Sequence, residues 1–373
     1  VKPWPTVIIA GGGTGGHLYP GLAIAAEVKR RCGEAEIVFV GTAGKIEARV
    51  VPNAGYAFET IWISGLRRTL SWSLLVFPVK VVVSLLQTAM IFRRRKPTVV
   101  VGTGGYVCGP PVYVASLLRI PTVLQEQNSI PGATTRLLAK RADEVYVTFE
   151  QSRNYLPAGV NVIVSGNPVR SVVGSVARED GARFFGLETG RPTVLAFGGS
   201  LGASSINTAI EDLLPMLGAG GIQLIWQTGE HDLATAQRAV NTLPAAQKTG
   251  MRVQAFIERM DMAFGASDLA VCRAGATTLA ELALAGLPAI LVPYPHAAAD
   301  HQTENARTVA ASGAALLCPD HEVRSGLSSL LFDLLKNGDR RRQMAEQMRS
   351  LAHPEAAATI AAAVIRLSKH GHG

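Results

Sequence analysis

Two stretches of this chain, TVIIAGGGTGGH at 6–17 and TVLAFGGSLGASSIN at 193–207, have the same build: a short β-branched and apolar run, a glycine-rich turn, then a helical pattern. A strand that empties through glycines into a helix opens a βαβ unit and commits the following chain to crossover connections. Behind the first stretch come EIVFVG, TVVVGTGG, TVLQEQ, EVYVTF and VIVSGNP; behind the second come IQLIWQTG, MRVQAF, SDLAVCRAG, PAILVPYP and GAALLC, with longer helix-forming segments between. Such alternation builds a parallel sheet with helices on both faces, and its restart at 193 requires two of them. The expected fold class is α/β, two Rossmann-like doubly wound parallel-sheet domains, and 373 residues suffice to fill both. The boundary is expected near SGNPVR, giving domains 1–165 and 166–354, with an alanine-rich helix at about 355–368 that packs back on the first. Ligands of such folds collect at the carboxyl ends of the strands, so a cleft between facing domains receives loops from both.

Gly11, Gly13 and Gly16 fit the dinucleotide spacing G-x-G-x-x-G. A nicotinamide site also needs an acidic residue at the end of the second strand to accept from the ribose hydroxyls, and there EIVFVG runs into Gly41, Thr42 and Ala43. What remains is a turn that lets backbone N–H groups approach an anion at a helix start, with His17 at its lip. A second such turn, GTGGYVCGP at 102–110, follows another strand of the same half. Together they suit a bulky polyanion such as a pyrophosphate; singly, each also reads as a plain tight strand-to-helix turn.

Charge separates the halves. Residues 1–165 hold 18 Lys and Arg against 9 Asp and Glu, while 166–373 hold 18 against 19, and no acidic residue falls between Glu59 and Glu126. A one-signed region seeks an anionic partner, and no base-reading motif accompanies it, so nucleic acid is not expected. Within it, LSWSLLVFPVKVVVSLLQTAMIFRRRK at 70–96 is apolar enough to resemble a spanning helix but is interrupted by Pro78 and Lys80. It reads either as a buried crossover helix or as a membrane-surface element, with Trp72, Leu75, Phe77 and Val79 flanked by Arg67, Arg68, Arg93, Arg94 and Arg95. Four widely spaced cysteines, Cys32, Cys108, Cys272 and Cys318, read as free thiols of a reducing compartment, and the start lacks a secretory h-region, so a cytoplasmic location is expected.

Seven segments in order, GGGTGGHLYPGLAIA, GTGGYVCGPP, EQNSIPG, GNPVR, FGGSLGASSIN, CRAGATTLAEL and VPYPHAAADHQTENA, resemble the MurG family of cell-wall glycosyltransferases nearly end to end. The resemblance implies the GT-B architecture and inverting transfer of N-acetylglucosamine from UDP-GlcNAc to the 4-hydroxyl of the muramyl residue in undecaprenyl-pyrophosphoryl-MurNAc-pentapeptide (lipid I), giving lipid II. It further implies a peripheral enzyme on the cytoplasmic face of the cell membrane, an anionic membrane surface and cell-wall synthesis and division proteins as partners, and no metal or cofactor. No D-x-D occurs in the chain.

Residue by residue, the resemblance gives the donor diphosphate Ser200 and Arg170, together with the helix start at Gly275, Ala276, Thr277 and Thr278. Arg suits this because it stays protonated and meets phosphate bidentately. Glu281 is expected on the ribose hydroxyls, Ile257 of AFIERM on uracil, and His301 and Gln302, beside Asp300, on the sugar. Thr14, Gly15 and Gly16 are expected near substrate phosphates and Asn128 on a substrate group, with His17 and Glu126 as the candidate bases. His17 is favoured, since imidazole titrates near neutrality. Gln125 stands where some members carry histidine, and Cys108 where serine is commoner. The rival readings are another GT-B enzyme acting on a different lipid or aglycone, a UDP-GlcNAc epimerase, and a nicotinamide oxidoreductase.

Overall fold

The apolar runs form strands buried on both faces, as a sheet covered by crossover helices requires. The computed structural model describes residues 4–65, 72–169, 172–199 and 201–370, with backbone alone for 72–75 and 370. Arg67, Arg68, Arg170 and Ser200 thus lie outside the described residues, as do the side chains of Trp72 and Leu75. The chain divides into two units, Val1–Val169 with Pro354–Gly373, and Arg170–His353.

The first unit holds β1 (Thr6–Ala10), β2 (Glu36–Gly41), β3 (Ala57–Thr60), β4 (Val99–Gly102), β5 (Thr122–Glu126), β6 (Glu144–Val147) and β7 (Val162–Val164) in the all-parallel order β3-β2-β1-β4-β5-β6-β7. Side chains alternate across it: Ile8, Val38, Val100 and Leu124 pack on one face, and Val7, Ile9, Phe39 and Val101 on the other. Ile360, Ala361 and Val364 of the helix Ala356–His370 cover the second face, where Arg366 pairs with Glu144. The second unit holds β8 (Thr193–Phe197), β9 (Gln223–Gln227), β10 (Met251–Gln254), β11 (Leu269–Cys272), β12 (Ala289–Leu291) and β13 (Ala315–Leu317), in the parallel order β10-β9-β8-β11-β12-β13. Strand order reverses between β1 and β4 and again between β8 and β11, so each unit has one switch point, where the loops leaving those strands diverge and open a crevice.

The helix Trp72–Arg95 buries one face and exposes another. Ser84, Thr88, Ile91 and Phe92 are buried in the first unit, while Val79, Val82, Leu86 and Met90, spaced three and four apart, form an exposed apolar stripe. By length and composition its Val76–Arg95 portion could cross a membrane, with mean hydropathy 1.5. Phe77 is half-buried. The basic cluster at its end is only partly available to other anions: Glu59 accepts from Arg94 at 2.6 Å and from Arg95 at 2.7 Å, and Arg95 also reaches Glu36. The acid-free stretch of sequence is therefore met in space by acids from β2 and β3.

Candidate active site

At the switch point of the first unit the turn after β1 passes through Gly11–Thr14 into the helix Gly15–Arg31, whose start carries no side-chain cap. Thr14 and Gly16 are exposed, and Gly15 and His17 are half-buried. The carboxylate missing from the end of β2 arrives from further on. Glu47, fully buried, accepts from the Gly13 N–H at 3.1 Å, the Thr42 N–H at 3.2 Å and the Thr42 hydroxyl at 2.9 Å. A Cβ on Gly12 would lie 2.6 Å from that carboxylate, so a glycine is needed there for the approach. Glu47 thereby occupies N–H groups that a phosphate at this turn would otherwise take.

The second turn, after β4, holds His17. Thr103 Oγ donates to the His17 carbonyl at 2.8 Å, and Gly104, at φ 100°, passes so near the ring that a Cβ would lie 2.6 Å from Nδ1. His17 Nδ1 is 2.9 Å from Gln127 Oε1. Gln127 Nε2 in turn donates to the Thr103 carbonyl at 2.7 Å and to both the backbone and the side-chain oxygen of Gln125, whose own amide reaches Asn167. Glu126 is differently placed. It is 2% exposed, with Oε1 accepting from Asn128 N at 3.1 Å and Nδ2 at 3.4 Å, and Oε2 from Gly132 N at 3.0 Å. Both carboxylate oxygens hold the loop after β5, whereas His17 stands at the lip of its turn. Cys108 lies beneath, its thiol pushed up to about 12 by burial and so protonated at neutral pH.

In the second unit the turn after β8 passes through Gly198 and Gly199 into the helix Ser204–Ala219. Gln227, at the end of β9, donates to the Gly199 carbonyl at 2.9 Å and accepts the Ile257 N–H at 2.8 Å. The Ile257 N–H is thereby committed to Gln227. After β11, Gly275 takes extended backbone at the start of the helix Ala276–Ala285, which no side chain caps. Ala276 is buried, and Thr277, Thr278 and Glu281 are half-buried within its first turns.

The loop after β12 ends in two successive non-glycine residues of left-handed backbone, Ala299 at φ 53° and Asp300 at φ 54°, which deliver His301 and Gln302 at the start of the helix His301–Ala311. Left-handed backbone at such residues is uncommon and collects at ligand sites. Gln302 Oε1 accepts from Tyr294 N at 3.0 Å, and His301 Nδ1 donates to the Ala298 carbonyl at 2.7 Å.

Among the described residues, Thr14–His17 follow β1 and Gly275–Glu281 follow β11 at the two switch points, whereas Glu126 and Asn128 lie at the end of β5, Ile257 after β10, and His301 and Gln302 after β12. Sequence reasoning passes over four residues that build these sites: Glu47, Gln127, Gln227 and Arg273. Arg273, directly after β11, donates to the carbonyls of Val292 and Pro293, pairs with Asp320 and lies over the Tyr294 ring, tying the ends of β11 and β12 together.

Two parallel-sheet units, each with a glycine turn at its switch point, have the architecture of the GT-B class. The model of the glycosyltransferase family 28 N-terminal domain matches residues 7–147, and that of the C-terminal domain matches 193–360. The chain is 44% identical over 368 residues to the UDP-N-acetylglucosamine--N-acetylmuramyl-(pentapeptide) pyrophosphoryl-undecaprenol N-acetylglucosamine transferase of Chlorobaculum tepidum, covering 97% of this chain and 99% of that protein. The transferase of the same name from Salinibacter ruber is 41% identical, with coverage of 98% and 97%. The crystal structure of Acinetobacter baumannii MurG superposes with a TM-score of 0.77 at 29% identity, covering 98% of this chain and all of that one. The chain belongs to the MurG family of N-acetylglucosamine transferases, within glycosyltransferase family 28.

Proposed function

We infer that this protein is an inverting glycosyltransferase that moves N-acetylglucosamine from UDP-GlcNAc to the 4-hydroxyl of the muramyl residue of undecaprenyl-pyrophosphoryl-MurNAc-pentapeptide, making lipid II for peptidoglycan synthesis. The observation that carries this reading is the 44% identity to a transferase of that name over nearly the whole of both chains.

The second unit takes the donor. The uncapped helix start at Gly275–Thr278, the turn at Gly198–Gly199 with Ser200, and Arg170 hold the diphosphate; Glu281 takes the ribose hydroxyls, Ile257 the base, and His301 and Gln302 the sugar. As the bond from C1 to the β-phosphate oxygen breaks, negative charge grows on the departing UDP, and fixed N–H dipoles with a guanidinium stabilise it most at that moment. The first unit takes the acceptor, with Thr14, Gly15, Gly16 and Asn128 beside it. His17 removes the proton from the 4-hydroxyl as its oxygen attacks C1 from the face opposite UDP, which inverts the anomeric centre. Glu126, with both oxygens engaged by loop N–H groups, holds that loop and does not exchange the proton.

The exposed stripe Val79, Val82, Leu86 and Met90, with Arg93 beside it, rests on the anionic cytoplasmic face of the membrane, where the lipid acceptor is found. The test is incubation with UDP-GlcNAc and a short-chain lipid I analogue. UDP and a disaccharide-bearing lipid are expected; turnover of UDP-GlcNAc without acceptor, to an epimer, would replace this reading with an epimerase.

A further inference from the structure

We propose that Gln127 is a positioning residue that fixes the tautomer of His17, placing the ring proton on Nδ1 and leaving Nε2 as the basic atom. The argument is one of donors and acceptors. Two groups facing the Gln127 amide nitrogen are backbone carbonyls, of Thr103 at 2.7 Å and Gln125 at 3.3 Å. A carbonyl only accepts, so the nitrogen must lie on that side and the amide cannot be flipped. Its oxygen therefore faces His17 Nδ1, at 2.9 Å. An amide oxygen also only accepts, so Nδ1 must donate, and in the neutral ring the lone pair is then on Nε2.

The surroundings keep the ring to that task. Gln127 is 2% exposed and Gln125 is fully buried, so water does not compete at the amide pair. The Thr103 hydroxyl anchors the His17 backbone, and Gly104, lacking a Cβ, lets the ring lie against the second turn. Among the described residues no side chain takes Nε2 as a hydrogen-bond partner, and His17 is only half-buried. The inference deepens the reading of His17 as base and rests on it for its catalytic consequence, but the tautomer itself can be read without turnover.

Two measurements test it. In the full-length protein with 15N-labelled histidine, long-range proton–nitrogen spectra at neutral pH should show the His17 ring protonated on Nδ1, with Nε2 bare; a proton on Nε2 instead overturns the proposal. The second is a double-mutant cycle on Gln127→Met, an unbranched replacement without hydrogen bonds, and His17→Ala. Gln127→Met should lower kcat by about 10- to 100-fold, the loss typical when the group orienting an imidazole is removed, with KM for UDP-GlcNAc within about twofold. Retained UDP binding and circular dichroism confirm the fold of the variant. In the His17→Ala background the same change should cost almost nothing more, because the two residues act as one device. Losses that multiply assign Gln127 a merely structural role and overturn the proposal. Full turnover by His17→Ala alone removes the base reading, while the ring spectrum still decides the tautomer.

Discussion

The two glycine turns leave equivalent strands of their sheets, yet the described residues of the first are held by a buried carboxylate and those of the second by a neutral amide. After β1, the Gly13 N–H and the neighbouring Thr42 are taken by the buried carboxylate of Glu47. After β8, the Gly199 carbonyl is held by a neutral amide, Gln227, and the helix start across the switch point is uncapped by any side chain. The carboxylate uses the Gly13 N–H that a phosphate at that position would otherwise take, whereas the amide takes the Gly199 carbonyl and the Ile257 N–H. One fold, used twice, thus tethers its two turns with different chemistry, and in the proposed function the first serves the acceptor and the second the nucleotide.

The strongest way to break this contrast is at His17. His17→Ala should reduce kcat by about a hundredfold or more with KM for UDP-GlcNAc nearly kept, since a general base supplies that much and the donor is held elsewhere. A loss appearing in donor KM instead would put the nucleotide against the first turn. Next in size is Glu47→Ala, which leaves the Gly13 and Thr42 N–H groups and the Thr42 hydroxyl without their acceptor. Each buried group so orphaned costs about 1–3 kcal/mol, so the variant should show a lower calorimetric melting temperature; unchanged melting would mean that the turn does not need its internal anion.

How much of this was legible depends on distance along the chain. The β-branched runs and glycines lie within single elements, so the strand–turn–helix rhythm and both sheets could be read from TVIIAGGG and TVLAFGGS. Glu47 meets Gly13 across 34 positions, and Gln127 meets His17 across 110. No local pattern says which of several carboxylates or amides will reach a given turn, because the answer depends on how β2 and β5 lie beside β1 and β4. That no acid follows β2 directly is plain in the sequence, whereas the entry of Glu47 from the next helix is not. Likewise, the acid-free span from Glu59 to Glu126 suggested a uniformly basic surface, and packing brought Glu59 and Glu36 onto its arginines.

The nucleotide side offers a smaller, cleaner test. Gln227→Leu keeps the volume near β9 but frees the Gly199 carbonyl and the Ile257 N–H from their shared partner. Losing a neutral hydrogen bond costs about 1 kcal/mol, so KM for UDP-GlcNAc should rise roughly fivefold. The pH profile of kcat should stay as it is, because the tether does not touch His17. A kcat effect at constant KM would mean that the loop acts in the chemical step.

The smallest effect concerns the membrane stripe, which only the first unit carries in this proposal. Burial pushes the Glu59 carboxyl up, but Arg95 and Arg94 overcome that and leave it below the ordinary range. It therefore stays ionised and keeps two guanidiniums from other anions; its stabilising contribution, present above the unfolded-state pKa, fades as pH falls through the lowered one. Glu59→Gln should release Arg94 at neutral pH and leave Arg95 with Glu36 alone. Each basic side chain near an anionic surface contributes about 1 kcal/mol, so the variant should sediment with phosphatidylglycerol vesicles at several-fold lower lipid, roughly fivefold per arginine that reaches the surface. The gain should vanish in high salt, while Leu86→Asp should weaken binding at any salt. Equal binding by wild type and Glu59→Gln would show that Arg94 faces away from the bilayer, and the contact would then rest on Arg93 and the apolar stripe.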